Sequence, residues 1–272
     1  MSIDHRVVAE SEGAGANIAT IKDQVVERRL DSLLREMVAS RPAACCAGAA
    51  GAEIPARRAR LRDLLEKRLP GCRVEVVHDA RLVLAAAGLD AGIVLIAGTG
   101  SVAYGRSSDA AEAQAGGWGW MLGDEGSGAW IAREAAREVL RRADDGAAPG
   151  PLSDALFAAT RAGDSRELMF RMHAMREAMR WAALASTVFD TAAVDDGASA
   201  IVARAAAALC ALVTSVEAAI GMTAPVVLAG GLLLHQPLLE QHVRDGLRRE
   251  CIRLEEAPVA GAVRLAERLI GA

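Results

Sequence analysis

Short apolar runs alternate with segments of helical periodicity through the first third of the chain. Strands are predicted at 5–11, 43–47 and 73–77, and helices at 18–37, 54–68 and 79–87. Apolar residues recur at helical spacing from Ile18 to Met37, and Asn17 can cap this helix through its side-chain oxygen. Alternating strands and helices predict an α/β fold with a parallel sheet and crossover helices.

A second lobe begins near the buried strand 93–97, which runs directly into a glycine-rich turn. Long alanine-rich helices are predicted at 126–142, 165–186 and 198–220, a strand at 225–229, and closing helices at 237–249 and 259–270. We therefore predict two lobes, 1–91 and 92–272, with the last helix a candidate to pack back on the first lobe.

Composition narrows the class of protein. Of the 272 residues, 52% are apolar and 24% charged, which is typical of a globular chain. The net charge of −4 argues against a nucleic-acid surface. The five cysteines lack zinc-ligand spacing and suit a reducing compartment, and the sequence shows no leader peptide or long apolar run. The expectation is a cytoplasmic protein with no membrane segment and no metal site of its own.

The turn Gly98-Thr99-Gly100-Ser101 follows the buried strand 93–97 directly. Glycines let the backbone turn sharply and bring several N–H groups together, and such a nest binds phosphate oxygens. The Thr99 and Ser101 hydroxyls add donors. A tight hairpin without a ligand is the alternative interpretation, because glycine turns are common.

A second segment, GGWGWMLGDEGS at 116–127, is too rich in glycine for a helix or strand interior. Backbone can approach a ligand closely at its glycines, and Asp124 can accept hydrogen bonds from sugar hydroxyls. Asp124 and Glu125 also stand near the positive end of the helix that follows. The alternative is that these acids only cap the helix and that Trp118 only packs.

Two further strand ends carry groups suited to chemistry. Asp79 stands at the carboxyl end of strand 73–77, where open α/β sheets place ligands, and a carboxylate there can accept a proton from an attacking hydroxyl. Gly230-Gly231 follows strand 225–229 and would let a base or ribose lie against the backbone. A helix cap and a plain turn are the respective alternatives.

Taken in order, the segments VVHDA, IVLIAGTGS, GGWGWMLGDEGSGAWIAREA, PVVLAGG and PVAGAVRLA resemble the N-acetylglucosamine kinase group of the BadF/BadG-type ATPase family. The resemblance runs from Val7 to the end of the chain, and GAGAN at 13–17 is similar to an early turn of that family. It implies a two-lobed fold of the actin/hexokinase type, each lobe built on a ribonuclease-H-like sheet, with Mg-ATP and a sugar as substrates.

The resemblance also implies roles for individual residues. Asp79 would be the general base for the sugar's 6-hydroxyl. The turn from Gly98 would meet the ATP phosphates through Thr99 and Gly100, with Ser101 nearby. The sugar pocket would be lined by Asn17, Gly117, Trp118 and Asp124. The adenosine would contact Gly230 and Gly231.

One departure from the family pattern is the Asp-Gly-Gly-Gly-Thr hairpin, which family members carry near their start and which the first residues here do not show. The expectation is an N-terminal lobe lacking its first two strands, through either a start set too late or a real deletion. A real deletion would lower activity by orders of magnitude, since phosphoryl transfer depends on positioning and charge neutralisation.

Several alternatives stay open at the level of sequence. The acceptor could be glucosamine or glucose, and the protein could be a non-catalytic sugar- or nucleotide-binding relative. An ATPase activator of an acyl-CoA dehydratase shares the fold but holds an iron–sulfur cluster through cysteines, which here are scattered. The alanine-rich helices could supply a homodimer interface.

Overall fold

The computed structural model describes residues 2–3, 6–7, 9–13, 18, 21–37 and 41–271. The chain divides into two compact units: unit 1 comprises residues 1–90 with 254–272, and unit 2 comprises residues 91–253.

The elements follow in chain order. The strands are β1 (Ser2–Ile3), β2 (Arg6–Val7), β3 (Ala44–Gly48), β4 (Arg73–Val77), β5 (Gly92–Ala97), β6 (Ser101–Arg106), β7 (Glu112–Gly116), β8 (Val226–Ala229) and β9 (Cys251–Arg253). The helices are α1 (Asp23–Met37), α2 (Pro55–Arg68), α3 (Asp79–Ala86), α4 (Gly128–Asp144), α5 (Pro151–Thr160), α6 (Ser165–Ala174), α7 (Ala178–Ala182), α8 (Ala185–Thr191), α9 (Asp196–Ile220), α10 (Gly231–His235), α11 (Pro237–Leu247) and α12 (Pro258–Leu269).

Unit 1 is built around the parallel pair β3–β4, which α2 connects. Consecutive strand residues point to opposite faces, and here both faces are covered. Val76 packs with Leu61 and Leu65 of α2, whereas Val77 packs with Ala85 of α3 and Leu265 of α12. The last helix of the chain therefore belongs to the core of unit 1.

The start of the chain differs from the predicted elements. The strand predicted at 5–11 is short: β2 pairs antiparallel with β1, and residues 9–11 have no regular structure. The helix predicted from position 18 begins at Asp23, whose carboxylate suits the positive end of α1. Asn17, expected to cap that helix, lies outside the described residues. The incomplete first lobe stays a prediction.

Unit 2 contains a five-stranded sheet in the order β7-β6-β5-β8-β9. Strands β5, β8 and β9 are parallel, whereas β5, β6 and β7 form an antiparallel meander. The sheet is therefore mixed, whereas the parallel sheet predicted for the first part of the chain agrees with the pair β3–β4 of unit 1. The three residues between β5 and β6 leave room only for a hairpin, because a parallel return needs a crossover of a dozen residues or more.

The helices of unit 2 cover this sheet and one another. The predicted helix 165–186 is broken into α6, α7 and the start of α8, because Met175 adopts an extended conformation that ends α6. The Trp181 indole N–H donates to the Met175 carbonyl at 3.0 Å, which satisfies a group the helix leaves unpaired. Strands β6, β7 and β9 and helix α5 are not among the elements predicted from the sequence.

Helix α9 is the one helix in the described ranges long and apolar enough to cross a membrane by length and composition. Its buried residues recur at helical spacing, and the helix packs against β5, β6, β7, α4, α8 and α11. This is the environment of a core helix in a globular unit.

Candidate active site

The turn Gly98-Thr99-Gly100 connects β5 to β6 and is docked on the first residues of α4. The Gly98 amide donates to the Gly100 carbonyl at 2.9 Å, which closes the turn. The Gly98 carbonyl accepts from the Gly128 amide at 2.9 Å, and the Thr99 carbonyl accepts from the Ala129 amide at 3.4 Å. Helix α4 therefore fixes the conformation of the turn.

The amides of Thr99 and Gly100 have no hydrogen-bond acceptor in the part of the chain that the structure describes. Thr99 is exposed and Gly100 is half-buried, so both N–H groups are available to an external ligand. Two consecutive free amides in a glycine turn can donate to an anion. The turn therefore has the donors expected for a phosphate contact. It is also a tight hairpin, as in the alternative interpretation.

The start of α4 is not itself an anion site. Ser127 is its N-cap, and the Ser127 hydroxyl accepts from the Trp130 amide at 3.2 Å. The Gly128 and Ala129 amides are taken by the turn, and the Ile131 amide donates to the Ser127 carbonyl at 2.8 Å. Since these amides are already paired within the described residues, the first turn of α4 offers no free donor.

Gly230-Gly231 lies beside this turn, because β8 is the parallel neighbour of β5. Gly230 has a φ of 91°, and a Cβ there would overlap the Ala97 carbonyl, so only glycine fits. A Cβ on Gly98 would lie 3.8 Å from the Gly231 nitrogen. The structure therefore brings the two predicted nucleotide-contacting segments together at one edge of the sheet.

Asp124 joins the 116–127 loop to the same turn. Its side chain is buried, with Oδ1 accepting from the Gly119 amide at 3.2 Å and the carboxylate also accepting from the Ser101 amide. Burial raises the pKa of the Asp124 carboxyl above its usual range, and these two hydrogen bonds oppose the rise. A carboxylate accepts about four hydrogen bonds, so capacity for a hydroxyl remains.

The other predicted sugar contacts lie in the same loop. The Gly117 amide donates to the Ser101 carbonyl at 2.9 Å, and the Ser101 hydroxyl donates to the Glu125 carbonyl at 2.8 Å. Trp118 is 76% exposed. Its ring is free to stack on a ligand.

Asp79 is the first residue of α3, at the carboxyl end of β4 in unit 1. The N-cap is His78, whose Nδ1 accepts from the Ala80 amide at 3.1 Å, while Asp79 Oδ1 accepts from the same amide at 2.9 Å. The Asp79 side chain is 48% exposed, so it is accessible to a substrate hydroxyl. His78 itself is buried.

The cysteines do not converge on a metal site. The structure shows Cys45, Cys46, Cys72, Cys210 and Cys251 as free thiols. Burial raises the pKa of Cys45 to about 11 and that of Cys46 to about 12, which disfavours the thiolate that binds metals. Within the described ranges, no three His, Cys, Asp or Glu side chains are grouped to hold a metal ion.

Sequence reasoning missed one residue that the structure places at this site. Arg133, on the second turn of α4, donates from Nη1 to the Trp120 carbonyl at 2.7 Å. Its position in the motif WIAREA, directly after the glycine loop, was the available signal. No pattern in the sequence shows that its side chain reaches back to the loop.

Comparison with known proteins supports a single family. The BadF/BadG/BcrA/BcrD ATPase family matches residues 1–266. An N-acetylmuramic acid/N-acetylglucosamine kinase of Clostridium acetobutylicum is 32% identical over 151 residues, which cover 53% of this chain and 49% of that protein. An N-acetyl-D-glucosamine kinase of Dictyostelium discoideum is 28% identical over 173 residues, 60% of this chain and 54% of that protein. The chain thus spans about half the length of the curated relatives it matches.

Solved structures show the same fold. A Chromobacterium violaceum protein, provisionally assigned as an N-acetylglucosamine kinase, superposes with a TM-score of 0.73 at 25% identity, covering 93% of this chain and 88% of its own. A Porphyromonas gingivalis protein with the same provisional assignment gives 0.61 at 18% identity, covering 95% and 90%. These structures agree in fold, and the family match over nearly the whole sequence shows that the chain belongs to the BadF/BadG/BcrA/BcrD ATPase family.

Proposed function

We propose that the protein is an ATP-dependent kinase that phosphorylates the 6-hydroxyl of N-acetylglucosamine or a related amino sugar. The observation that carries the proposal is the pair of free amides on Thr99 and Gly100, beside Gly230-Gly231 at one edge of a parallel strand pair. Both curated relatives are kinases of N-acetylated amino sugars, which supports the same chemistry here.

The nucleotide is assigned to this glycine-lined edge. Thr99 and Gly100 donate their amides to phosphate oxygens, and Ser101 stands next to them. Gly230 and Gly231 lack side chains, so the adenosine can lie against their backbone. Mg²⁺ in such sites is coordinated mostly by the phosphates and needs only one or two protein carboxylates. A cluster of three metal-binding side chains is therefore not required.

The sugar is assigned to the loop that begins at Gly117. Trp118 offers an exposed ring to the apolar face of a sugar, and Asp124 offers carboxylate oxygens to its hydroxyls. Asn17 belongs to this set by resemblance only. The Clostridium relative acts on both N-acetylmuramic acid and N-acetylglucosamine, so the assay includes both.

The proposed reaction needs one proton acceptor from the chain. The sugar 6-oxygen attacks the terminal phosphorus of ATP, the bond from that phosphorus to the bridging oxygen breaks, and ADP leaves. Asp79 accepts the hydroxyl proton as the new bond forms, a role its exposed carboxylate can perform.

The test is ADP formation from Mg-ATP with N-acetylglucosamine, N-acetylmuramic acid, glucosamine, glucose and N-acetylmannosamine. We expect sugar-dependent turnover that falls about 100-fold or more in Asp79→Asn, since a positioned general base contributes about 10²–10⁴. Asp63→Asn is the matched control, because Asp63 is an exposed carboxylate of the same unit.

Each alternative has its own outcome. Sugar binding without turnover would support a non-catalytic relative. A preference for glucosamine or glucose would identify that sugar as the phosphate acceptor instead. Turnover unchanged in Asp79→Asn would overturn the role of Asp79. An iron–sulfur absorption band would favour a dehydratase activator, which the half-buried, weakly acidic Cys45 and Cys46 thiols disfavour. Homodimerisation and a cytoplasmic location stay predictions, tested by light scattering and cell fractionation.

A further inference from the structure

Arg133 differs from the other arginines of α4 in its partners. Arg137, Arg141 and Arg142 each pair with a carboxylate within 3.0 Å. In the described part of the chain, Arg133 has a single hydrogen bond, from Nη1 to the Trp120 carbonyl, and its Nε is buried without a partner. Arg133 is half-buried, and a buried, unpaired Nε costs free energy.

The Trp120 carbonyl lies in the middle of the 117–124 loop, and the residue is held from two sides. The centroid of its ring lies 5.7 Å from that of the Trp181 ring. The Trp181 indole N–H in turn donates to the Met175 carbonyl. The next two residues, Met121 and Leu122, are 73% and 87% exposed. Arg133 and Trp181 therefore anchor a loop that otherwise has little packing of its own.

The charge of Arg133 also acts on Asp124. Burial raises the pKa of Asp124, and the hydrogen bonds from the Gly119 and Ser101 amides lower it. The neighbouring Glu125 raises this pKa, and the positive charge of Arg133 lowers it by the smallest of these effects. Loss of the Arg133 charge should therefore raise the pKa of Asp124.

We propose that Arg133 is a positioning residue for sugar binding: it holds the 117–124 loop, and with it Asp124, through its hydrogen bond to the Trp120 carbonyl. The inference rests on the proposed sugar site for its consequence, but not for the hydrogen bond itself. Arg133 acts through the loop and Asp124, and need not touch the sugar.

The test compares Arg133→Gln and Arg133→Lys with Arg137→Gln, a matched loss of charge one helical turn further along α4. The first measurement is the Asp124 carboxyl titration by carbon NMR, assigned by its absence in Asp124→Asn. We expect a higher pKa of Asp124 in Arg133→Gln, and wild-type behaviour in Arg133→Lys and Arg137→Gln.

The second measurement separates KM for the sugar from KM for ATP. Losing a hydrogen bond to a charged donor predicts about a tenfold higher sugar KM in Arg133→Gln, with the ATP KM little changed. Arg133→Lys keeps the charge but not the planar fork, so a smaller rise of about threefold is expected. Arg137→Gln should match the wild type in both constants.

The outcomes are distinguishable. An unchanged Asp124 titration in Arg133→Gln, or an unchanged sugar KM in that variant, overturns the inference. If Arg133→Gln does not fold, a wild-type sugar KM in Arg133→Lys overturns it instead. A wild-type protein that neither binds nor phosphorylates any of the sugars refutes the proposed function, while the NMR titration still decides whether Arg133 acts on Asp124.

Discussion

The carboxylate of Asp124 lies directly over Gly100: a Cβ built on Gly100 would stand 2.6 Å from Asp124 Oδ2. The two residues come from different segments, one from the strand-connecting turn and one from the glycine loop before α4. Their contact means that the proposed phosphate-binding turn and the proposed sugar-binding loop share one packed junction. A substitution at either residue is therefore expected to alter both the turn and the loop.

Gly100→Ala should disrupt this junction. The added methyl overlaps the Asp124 carboxylate, and overpacking of this kind costs about 1–3 kcal/mol of stability. We expect a lower melting temperature and weaker binding of both ATP and sugar, measured by calorimetry. Gly163→Ala is the control, because a Cβ there meets nothing closer than 3.5 Å. Equal behaviour of the two variants would show that the contact is unimportant.

Trp118→Ala should weaken sugar binding without changing stability. Its ring is exposed, so its removal leaves no cavity, and losing a stacking contact costs about 1 kcal/mol, or roughly fivefold in affinity. Tryptophan fluorescence should respond to sugar in the wild type and lose that response in the variant. Met121→Ala, a truncation at a similarly exposed position of the same loop, should retain wild-type affinity. A sugar response that persists in Trp118→Ala would remove Trp118 from the site.

Asp195 joins three helices of unit 2 and should control acid stability. It accepts from Arg142 at 2.9 and 2.7 Å, from the Leu152 amide at 3.1 Å and from the Ala198 amide at 3.1 Å. The Arg142 hydrogen bonds hold the pKa of Asp195 well below its usual range. This stabilisation is fully present above the unfolded-state pKa of about 3.9 and is lost as the pH falls towards the folded-state value.

Asp195→Asn should therefore lower the free energy of unfolding at pH 7 by about 2 kcal/mol, since the charge-assisted hydrogen bonds with Arg142 are lost while Glu138 remains a carboxylate partner of Arg142. The variant should also lose stability less steeply than the wild type below about pH 4. Urea unfolding between pH 7 and pH 3 measures both effects, with the exposed Asp190→Asn as the control. Parallel pH curves for wild type and Asp195→Asn would contradict the assignment.

Much of the local structure was predictable from hydrophobic spacing. The strand at 73–77 is present with the predicted bounds, and the helix predicted at 54–68 begins one residue later, because Pro55 suits the first helical position. The glycine turn from Gly98 and the pair at Gly230 were recognisable because glycine after a buried strand is a local signal. These features depend on residues close together in the chain.

Other features depended on residues far apart in sequence. The break at Met175 carries no proline or glycine, and its carbonyl is satisfied by a tryptophan six positions later. Strand β6 contains Tyr104 and Val102 in a pattern that fits several structures, and only pairing with β5 makes it a strand. The burial of Asp124 depends on Gly100, more than twenty positions earlier.

The sequence by itself determined the family, the main helices and strands, and the glycine segments, because periodicity, turn chemistry and motif order are properties of neighbouring residues. The tertiary structure alone decided that the sheet of unit 2 is mixed, that Asp124 is buried beside Gly100, and that Arg133 reaches the Trp120 carbonyl. Burial, hydrogen-bond partners and pKa shifts arise from packing between distant segments, and no local pattern encodes them.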